Sequence, residues 1–182
     1  MISLGLDSGS SMTKAVLLED TKIIDTKMIP TSISPRKSLE ALYREIKKQH
    51  KEIDVIVTTG YGRNLLDQAD FKITEITCHA AGAFFMNPDC DTIIDIGGQD
   101  SKVITIDDLG CVESICQRTA AFAQKLAPAN PKVFFSGGLA QFDVIKRSLA
   151  SHLGVKEVAT DPLCQYTGAI GAAVLGIRKI KR

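Results

Sequence analysis

Asp7 and Asp95 each close an apolar run, and each is followed by Gly after two residues and by Lys after seven. The first string reads Gly5-Leu6-Asp7-Ser8-Gly9-Ser10-Ser11-Met12-Thr13-Lys14. The second reads Ile93-Ile94-Asp95-Ile96-Gly97-Gly98-Gln99-Asp100-Ser101-Lys102. A new apolar run then starts in both, Ala15-Val16-Leu17-Leu18 and Val103-Ile104-Thr105-Ile106. An aspartate at a strand end can hold hydrated Mg²⁺, an ion that keeps its waters and bridges carboxylate to phosphate. A turn rich in Gly and Ser lets backbone N–H groups reach phosphate oxygens, and hydroxyls add donors. A Lys across the hairpin offsets phosphate charge. One such turn is an ordinary hairpin carrying an Asp; two at matched offsets point to two phosphate-holding hairpins facing one cleft. No Gly-x-x-x-x-Gly-Lys-Ser/Thr loop is present, and no Gly-x-Gly-x-x-Gly follows the first strand.

The elements that would position these residues repeat in the same order. Strands are expected at Ile2–Leu6, Met12–Leu18 and Lys22–Ile29. Ser34-Pro35 reads as an N-cap with Pro at the first helical position. Leu39, Leu42, Tyr43 and Ile46 follow at helical spacing. Ile53–Thr58 is a β-branched strand ending in the turn Thr59-Gly60-Tyr61-Gly62-Arg63, which leads into a short helix. Phe71–Ile76 reads as a strand and Cys78–Met86 as a helix. The second half gives strands at Thr92–Ile96, Ser101–Ile106 and Gly110–Ile115, a helix at Thr119–Leu126 and a strand at Lys132–Phe135. Ser136-Gly137-Gly138-Leu139 matches the earlier Gly-rich turn. A helix carrying Phe142, Ile145, Leu149 and Leu153 stops at Gly154; Val155–Ala159 is a strand and Gln165–Ile177 a helix. This is an α/β plan in two lobes, residues 1–86 and 87–182.

Composition narrows the class. A chain of 182 residues, 45% of them hydrophobic, can bury a substantial core. A net charge of +1 gives no bulk electrostatic case for nucleic acid or membrane binding. The basic stretch Arg178-Lys179-Ile180-Lys181-Arg182 suits a solvated helix end. No signal-like or membrane-spanning apolar run is visible, so a cytoplasmic protein is expected. Five scattered cysteines, an odd number, argue against a disulfide framework.

The paired hairpins and the Gly-rich turn resemble the acetate and sugar kinase, heat-shock chaperone and actin superfamily. Within it, three strings carry a closer resemblance: Thr59-Gly60-Tyr61-Gly62-Arg63, Glu75-Ile76-Thr77-Cys78-His79-Ala80-Ala81-Gly82-Ala83 and Asp95–Lys102. They are similar to the ATP-dependent activators of 2-hydroxyacyl-CoA dehydratases and the related ATPase subunits of benzoyl-CoA reductases. The resemblance implies a duplicated actin-like, ribonuclease H-like ATPase fold, two lobes with mixed sheets flanked by helices. It implies a cytoplasmic homodimer that binds ATP or ADP with Mg²⁺, carries one interfacial [4Fe-4S] cluster, and passes an electron to a dehydratase- or reductase-type partner. Carried onto this chain, Asp7 and Asp95 hold Mg²⁺ through water. Gly9, Ser10, Ser11 and Lys14 meet phosphates, as do Gly97, Gly98 and Lys102. Gln99 or Asp100 orients the attacking water. Gly137, Gly138 and Gln141 lie at adenosine.

One stretch departs from the family. Between the second hairpin and the adenosine turn the activators carry Cys-x-x-Gly-Thr-Gly and a further ligand cysteine. Here Asp107-Asp108 runs almost directly through Gly110-Cys111-Val112-Glu113-Ser114-Ile115-Cys116 to Thr119. Cys111 and Cys116 are either remnants of the cluster ligands or small buried hydrophobes. Cys78 reads as a packing residue. His79 is either a hydrogen-bonded structural residue or a base or switch. Two other functions remain open: a homologue that binds without hydrolysing, and a small-molecule kinase.

Overall fold

Hydrophobic patterning builds two mixed sheets in the chain, whose computed structural model describes residues 1–117 and 130–181. The helix expected at Thr119–Leu126 lies outside the described residues. Contacts divide the chain into two units, Met1–Gly82 with Gly168–Arg182, and Ala83–Thr167. The lobe boundaries read from sequence kept the closing helix with the second lobe. By contacts that helix belongs to the first unit, because its small residues pack on the first sheet.

In the first unit, β1 (Ile2–Ser8), β2 (Met12–Glu19) and β3 (Lys22–Pro30) form an antiparallel meander. Helix α1 (Pro35–Gln49) crosses over to β4 (Val55–Gly60), which pairs parallel to β1, and the two-residue β5 (Phe71–Lys72) adds an edge. The order is β3-β2-β1-β4-β5. Parallel neighbours need such a crossover, and α1 supplies it. Leu39, Leu42 and Ile46 of α1 are fully buried against Leu4, Leu6, Ala15, Leu17 and Ile56. Each contributes about 1.5–3 kcal/mol by leaving water. Ser34 takes the expected N-cap place, though its hydroxyl makes no capping bond; Pro35 presets the first turn.

Helix α2 (Glu75–Met86) starts earlier than its apolar run, so β5 is cut to two residues and Thr74 caps the helix through Thr77 N. The short helix expected after Arg63 is a series of turns instead. Thr58 Oγ1 donates to the Arg63 carbonyl at 2.7 Å and keeps that segment folded back on β4.

The second unit repeats the plan. Strands β6 (Thr92–Ile96), β7 (Ser101–Ile106) and β8 (Val112–Gln117) form an antiparallel meander, and β9 (Val133–Gly137) pairs parallel to β6. The order is β8-β7-β6-β9. Helix α3 (Asp143–Leu153) ends at Gly154 in the left-handed conformation, as its position implied. Its Leu149 and Ala150 pack with Ile94, Val103, Val133, Phe135 and Val158. The expected strand at Val155–Ala159 shrinks to a single bridge, Ala159 with Phe134, since little beyond that residue pairs with β9. Helix α4 (Thr167–Ile180) closes the chain. Among the described residues no helix is long and apolar enough to cross a membrane.

Candidate functional site

The spacing of seven places each Lys directly across its hairpin from the Asp. Asp7 pairs with Lys14 in the β1–β2 register, and Asp95 with Lys102 in the β6–β7 register. The parallel neighbours match as well: Asp7 lies beside Thr59 and Ser8 beside Gly60, while Asp95 lies beside Ser136 and Ile96 beside Gly137. The duplication seen in sequence is therefore a duplication of register.

In the first hairpin, Asp7 is 3% exposed, and Lys14 Nζ stands 3.6 Å from its Oδ2. Gly60 holds φ +80°, and a Cβ there would lie 2.5 Å from the Ser8 carbonyl oxygen and 2.6 Å from Asp7 Oδ1. A Cβ on Gly168, in the first turn of α4, would lie 2.9 Å from Asp7 Oδ2 and 3.0 Å from His79 Cε1. Both glycines thus leave the space that this carboxylate occupies. The turn between the strands is braced by a residue the sequence reading passed over. Thr31 donates from its N–H to the Ser11 carbonyl at 2.9 Å and from Oγ1 to the Gly9 carbonyl at 2.8 Å. Thr31 stands just past the third strand with no motif around it, so only the fold reveals its role.

In the second hairpin, Lys102 Nζ lies 3.4 Å from Asp95 Oδ2 and 3.1 Å from Asp100 Oδ1. Asp95 and Lys102 are both buried; Gly97, Gly98 and Gln99 are exposed at the turn. Gly97 N–H donates to the Asp100 carbonyl at 2.9 Å and closes that turn. Both lysines, expected to offset phosphate charge, here pair with carboxylates.

The adenosine turn of the resemblance follows β9. Gly137 has φ +92°, where a side chain would run into the Ile96 carbonyl. Gly138–Gln141 then forms a short 3₁₀ turn; Gly138 opens onto free space, and Gln141 is exposed. Three residues the sequence left without a role buttress it. Ser136 Oγ donates to the Cys164 carbonyl at 3.3 Å, Cys164 Sγ donates to the Gly137 carbonyl at 3.6 Å, and Thr167 Oγ1 donates to the Cys164 carbonyl at 2.8 Å.

The donor chemistry fits a Mg²⁺–nucleotide. Each hairpin offers a buried carboxylate, a hard oxygen ligand of the kind Mg²⁺ takes directly or through water. Ser8 Oγ beside Asp7 is buried without a hydrogen-bond partner, a cost of about 1–3 kcal/mol that a bound water or phosphate oxygen would relieve. Thr59 Oγ1 is likewise buried, facing the weakly bonding Cys78 thiol.

Three buried cysteines, held as thiols, do not suit an iron–sulfur cluster. Cys111 is exposed just before β8, and Cys116 is the fifth residue of that strand. Cys78 and Cys90 are buried thiols, pushed up to about 12 and about 11 by burial. Cys164 is also shifted upward by burial. Thiols, not thiolates, are poor metal ligands. Cys78 packs with Val55, Val57 and Ala172, the packing role its sequence context implied. His79 is buried, and its Nδ1 lies 2.9 Å from the Glu75 carbonyl, so that nitrogen carries the proton.

The family described as the BadF/BadG/BcrA/BcrD ATPase family matches residues 4–113. The Escherichia coli K12 protein YjiL is 29% identical over 249 aligned positions that cover 97% of each chain. That alignment is longer than the 182 residues here, so YjiL carries residues this chain lacks. The activator of lactoyl-CoA dehydratase from Anaerotignum propionicum is 41% identical over 117 residues, 62% of this chain and 45% of that protein. Among solved structures, the Clostridium difficile activator of 2-hydroxyisocaproyl-CoA dehydratase with bound ADPNP superposes with a TM-score of 0.82 at 24% identity. It covers 100% of this chain and 96% of that one. This likeness establishes the fold, in agreement with the duplicated two-sheet plan expected from sequence.

Proposed function

Because this chain belongs to the BadF/BadG/BcrA/BcrD ATPase family, we propose that it binds ATP with Mg²⁺, hydrolyses it, and acts as an activator-like component for a dehydratase- or reductase-type partner enzyme. The observation that carries this reading is the register-matched pair of hairpins, each with a buried Asp facing a Lys and a positive-φ glycine on the neighbouring strand. Mg²⁺ would neutralise phosphate charge; Asp7 and Asp95 would hold it through water. The exposed backbone N–H of Gly98, with Gly9, Ser10 and Ser11, would donate to phosphate oxygens, while Gly97, its own N–H closing the turn on Asp100, would leave room for the phosphate to approach. Gln99 or Asp100 would orient the attacking water. Gly137, Gly138 and Gln141 would line the adenosine. Catalysis of this kind consists mainly of positioning and charge neutralisation.

We assign the electron-transfer output of the named activators to this chain only in reduced or lost form. The residues that the longer relative YjiL possesses and this chain lacks support that. Anaerobic reconstitution with iron and sulfide should leave the protein colourless. A stable charge-transfer band would reverse this part of the reading.

Calorimetry with Mg-ATP and Mg-ADP should give saturable heat, and phosphate release should disappear in Asp7→Asn and Asp95→Asn. Binding without any phosphate release would favour the non-hydrolysing homologue. Transfer of phosphate to a small acceptor would favour the kinase. No heat with either nucleotide would end the proposal. The homodimer is checked by sedimentation with and without nucleotide.

A further inference from the structure

The two hairpins share their register but not the surroundings of their lysines. Lys14 stands 3.6 Å from one carboxylate, and its side chain is 19% exposed. Lys102 reaches two carboxylates, and its side chain is 2% exposed. The second acid has no equivalent in the first hairpin: Asp100 follows Asp95 by five residues, and the residue five beyond Asp7 is Met12. The second hairpin therefore adds a negative charge at its lysine where the first carries a thioether.

We propose that Lys102 is a positioning residue that pins the Asp100 carboxylate beside Asp95, while Lys14 alone is the hairpin cation that meets the nucleotide's phosphates. This rests on the nucleotide reading given above. Drawing Lys102 toward a phosphate would pull a buried ammonium away from contacts with two carboxylates at once, which is strongly disfavoured. Drawing Lys14 the same way would uncover one carboxylate, and its flexible four-carbon stem already reaches solvent. The copies have thus divided a task that their sequences present as shared. In the second, the lysine sets the direction of Asp100, which with Gln99 is one of the two side chains proposed to orient water.

The test compares Lys14→Met, Lys102→Met, Lys102→Arg, Asp100→Asn and the double variant Lys102→Met/Asp100→Asn in the full chain. Mg-ATP affinity is read by calorimetry and turnover by phosphate release. Lys14→Met should raise Kd for Mg-ATP at least tenfold. Lys102→Met should shift Kd by no more than about twofold yet lower kcat at least tenfold, with partial recovery in Lys102→Arg. Lys102→Met and Asp100→Asn should be non-additive, the double variant being no slower than the worse single one. Equal losses of affinity in Lys14→Met and Lys102→Met would overturn the division, as would additive losses of kcat.

Thermal unfolding without nucleotide keeps the two readings apart. Lys102→Met should lower the midpoint well beyond Lys14→Met, and adding Asp100→Asn should restore part of it by removing one of the two carboxylate charges that Lys102 faced. If the wild type binds no nucleotide but this pattern holds, the nucleotide reading fails and the pinning stands. If the midpoints fall equally, with no restoration, the pinning fails on its own terms.

Discussion

Replacing Gly60 by Ala tests whether the first hairpin is built around a bare backbone. Gly60 and Gly154 both hold left-handed backbone, φ +80° and +69°. An L-residue pays about 1–2 kcal/mol for that conformation. At Gly154 nothing lies within 4 Å of a new Cβ, so Gly154→Ala should cost that amount and little more. At Gly60 the new methyl would stand 2.5 Å from the Ser8 carbonyl oxygen and 2.6 Å from Asp7 Oδ1. One of these is backbone in a paired strand and cannot yield cheaply. Overpacking of this kind adds about 1–3 kcal/mol, giving roughly 2–5 kcal/mol in all. For a chain of this size that is a fall of about 6–15 °C in Tm, against about 3–6 °C for Gly154→Ala. Thermal and urea unfolding followed by circular dichroism measure both. Equal losses in the two variants would refute the claim that Gly60 is required by Asp7 and Ser8 as well as by its dihedral.

The remaining predictions concern packing and thiols. Gly171→Ala would drive a methyl into the Cys78 carbonyl, with the Gly82 nitrogen 2.8 Å away, and should cost about 3 kcal/mol or more in urea unfolding. Gly138→Ala, which opens onto free space, should change stability by less than about 0.5 kcal/mol. In a Cys116→Ser background, iodoacetamide at pH 8 should modify exposed Cys111 first, as read by mass spectrometry. Cys78, pushed up to about 12, is then about one part in ten thousand thiolate and should react only on unfolding. Its raised value also fixes a sign: folding favours the thiol, so its contribution is complete below about pH 9 and is lost as pH climbs toward 12. A stability that rose across that window would contradict the burial of Cys78.

The strands that carry the motifs were legible almost residue for residue. β6 and β7 span Thr92–Ile96 and Ser101–Ile106 because a buried apolar run and a Gly-rich turn define both ends. What escaped was decided by partners distant in sequence. Phe71–Ile76 is as apolar as a strand, yet Thr74 diverts it into α2 after two paired residues. Val155–Ala159 has strand-like composition but finds one bridge partner in Phe134. At the site, the Asp–Lys spacing correctly implied residues opposite each other. That Asp100 also turns back to Lys102 depends on the tight turn closed by Gly97, which no periodicity encodes. Thr31 and Cys164 act through backbone carbonyls of distant turns and leave no pattern in the sequence at all.

The first unit is interrupted: Met1–Gly82 is completed only by Gly168–Arg182. During synthesis the ribosome releases β1–β5 long before α4, whose Ala169 and Ala173 backbone lies over Gly5 and whose Gly176 meets Ser3, Val55 and Val57 of that sheet. Until α4 emerges, that face of β1 and β4 stays exposed, while the later-made Ala83–Thr167 stretch already has every element of its own sheet. Vectorial folding therefore runs out of chain order, with the inserted unit able to finish first. The nascent first sheet is the part that a holdase would have to shield.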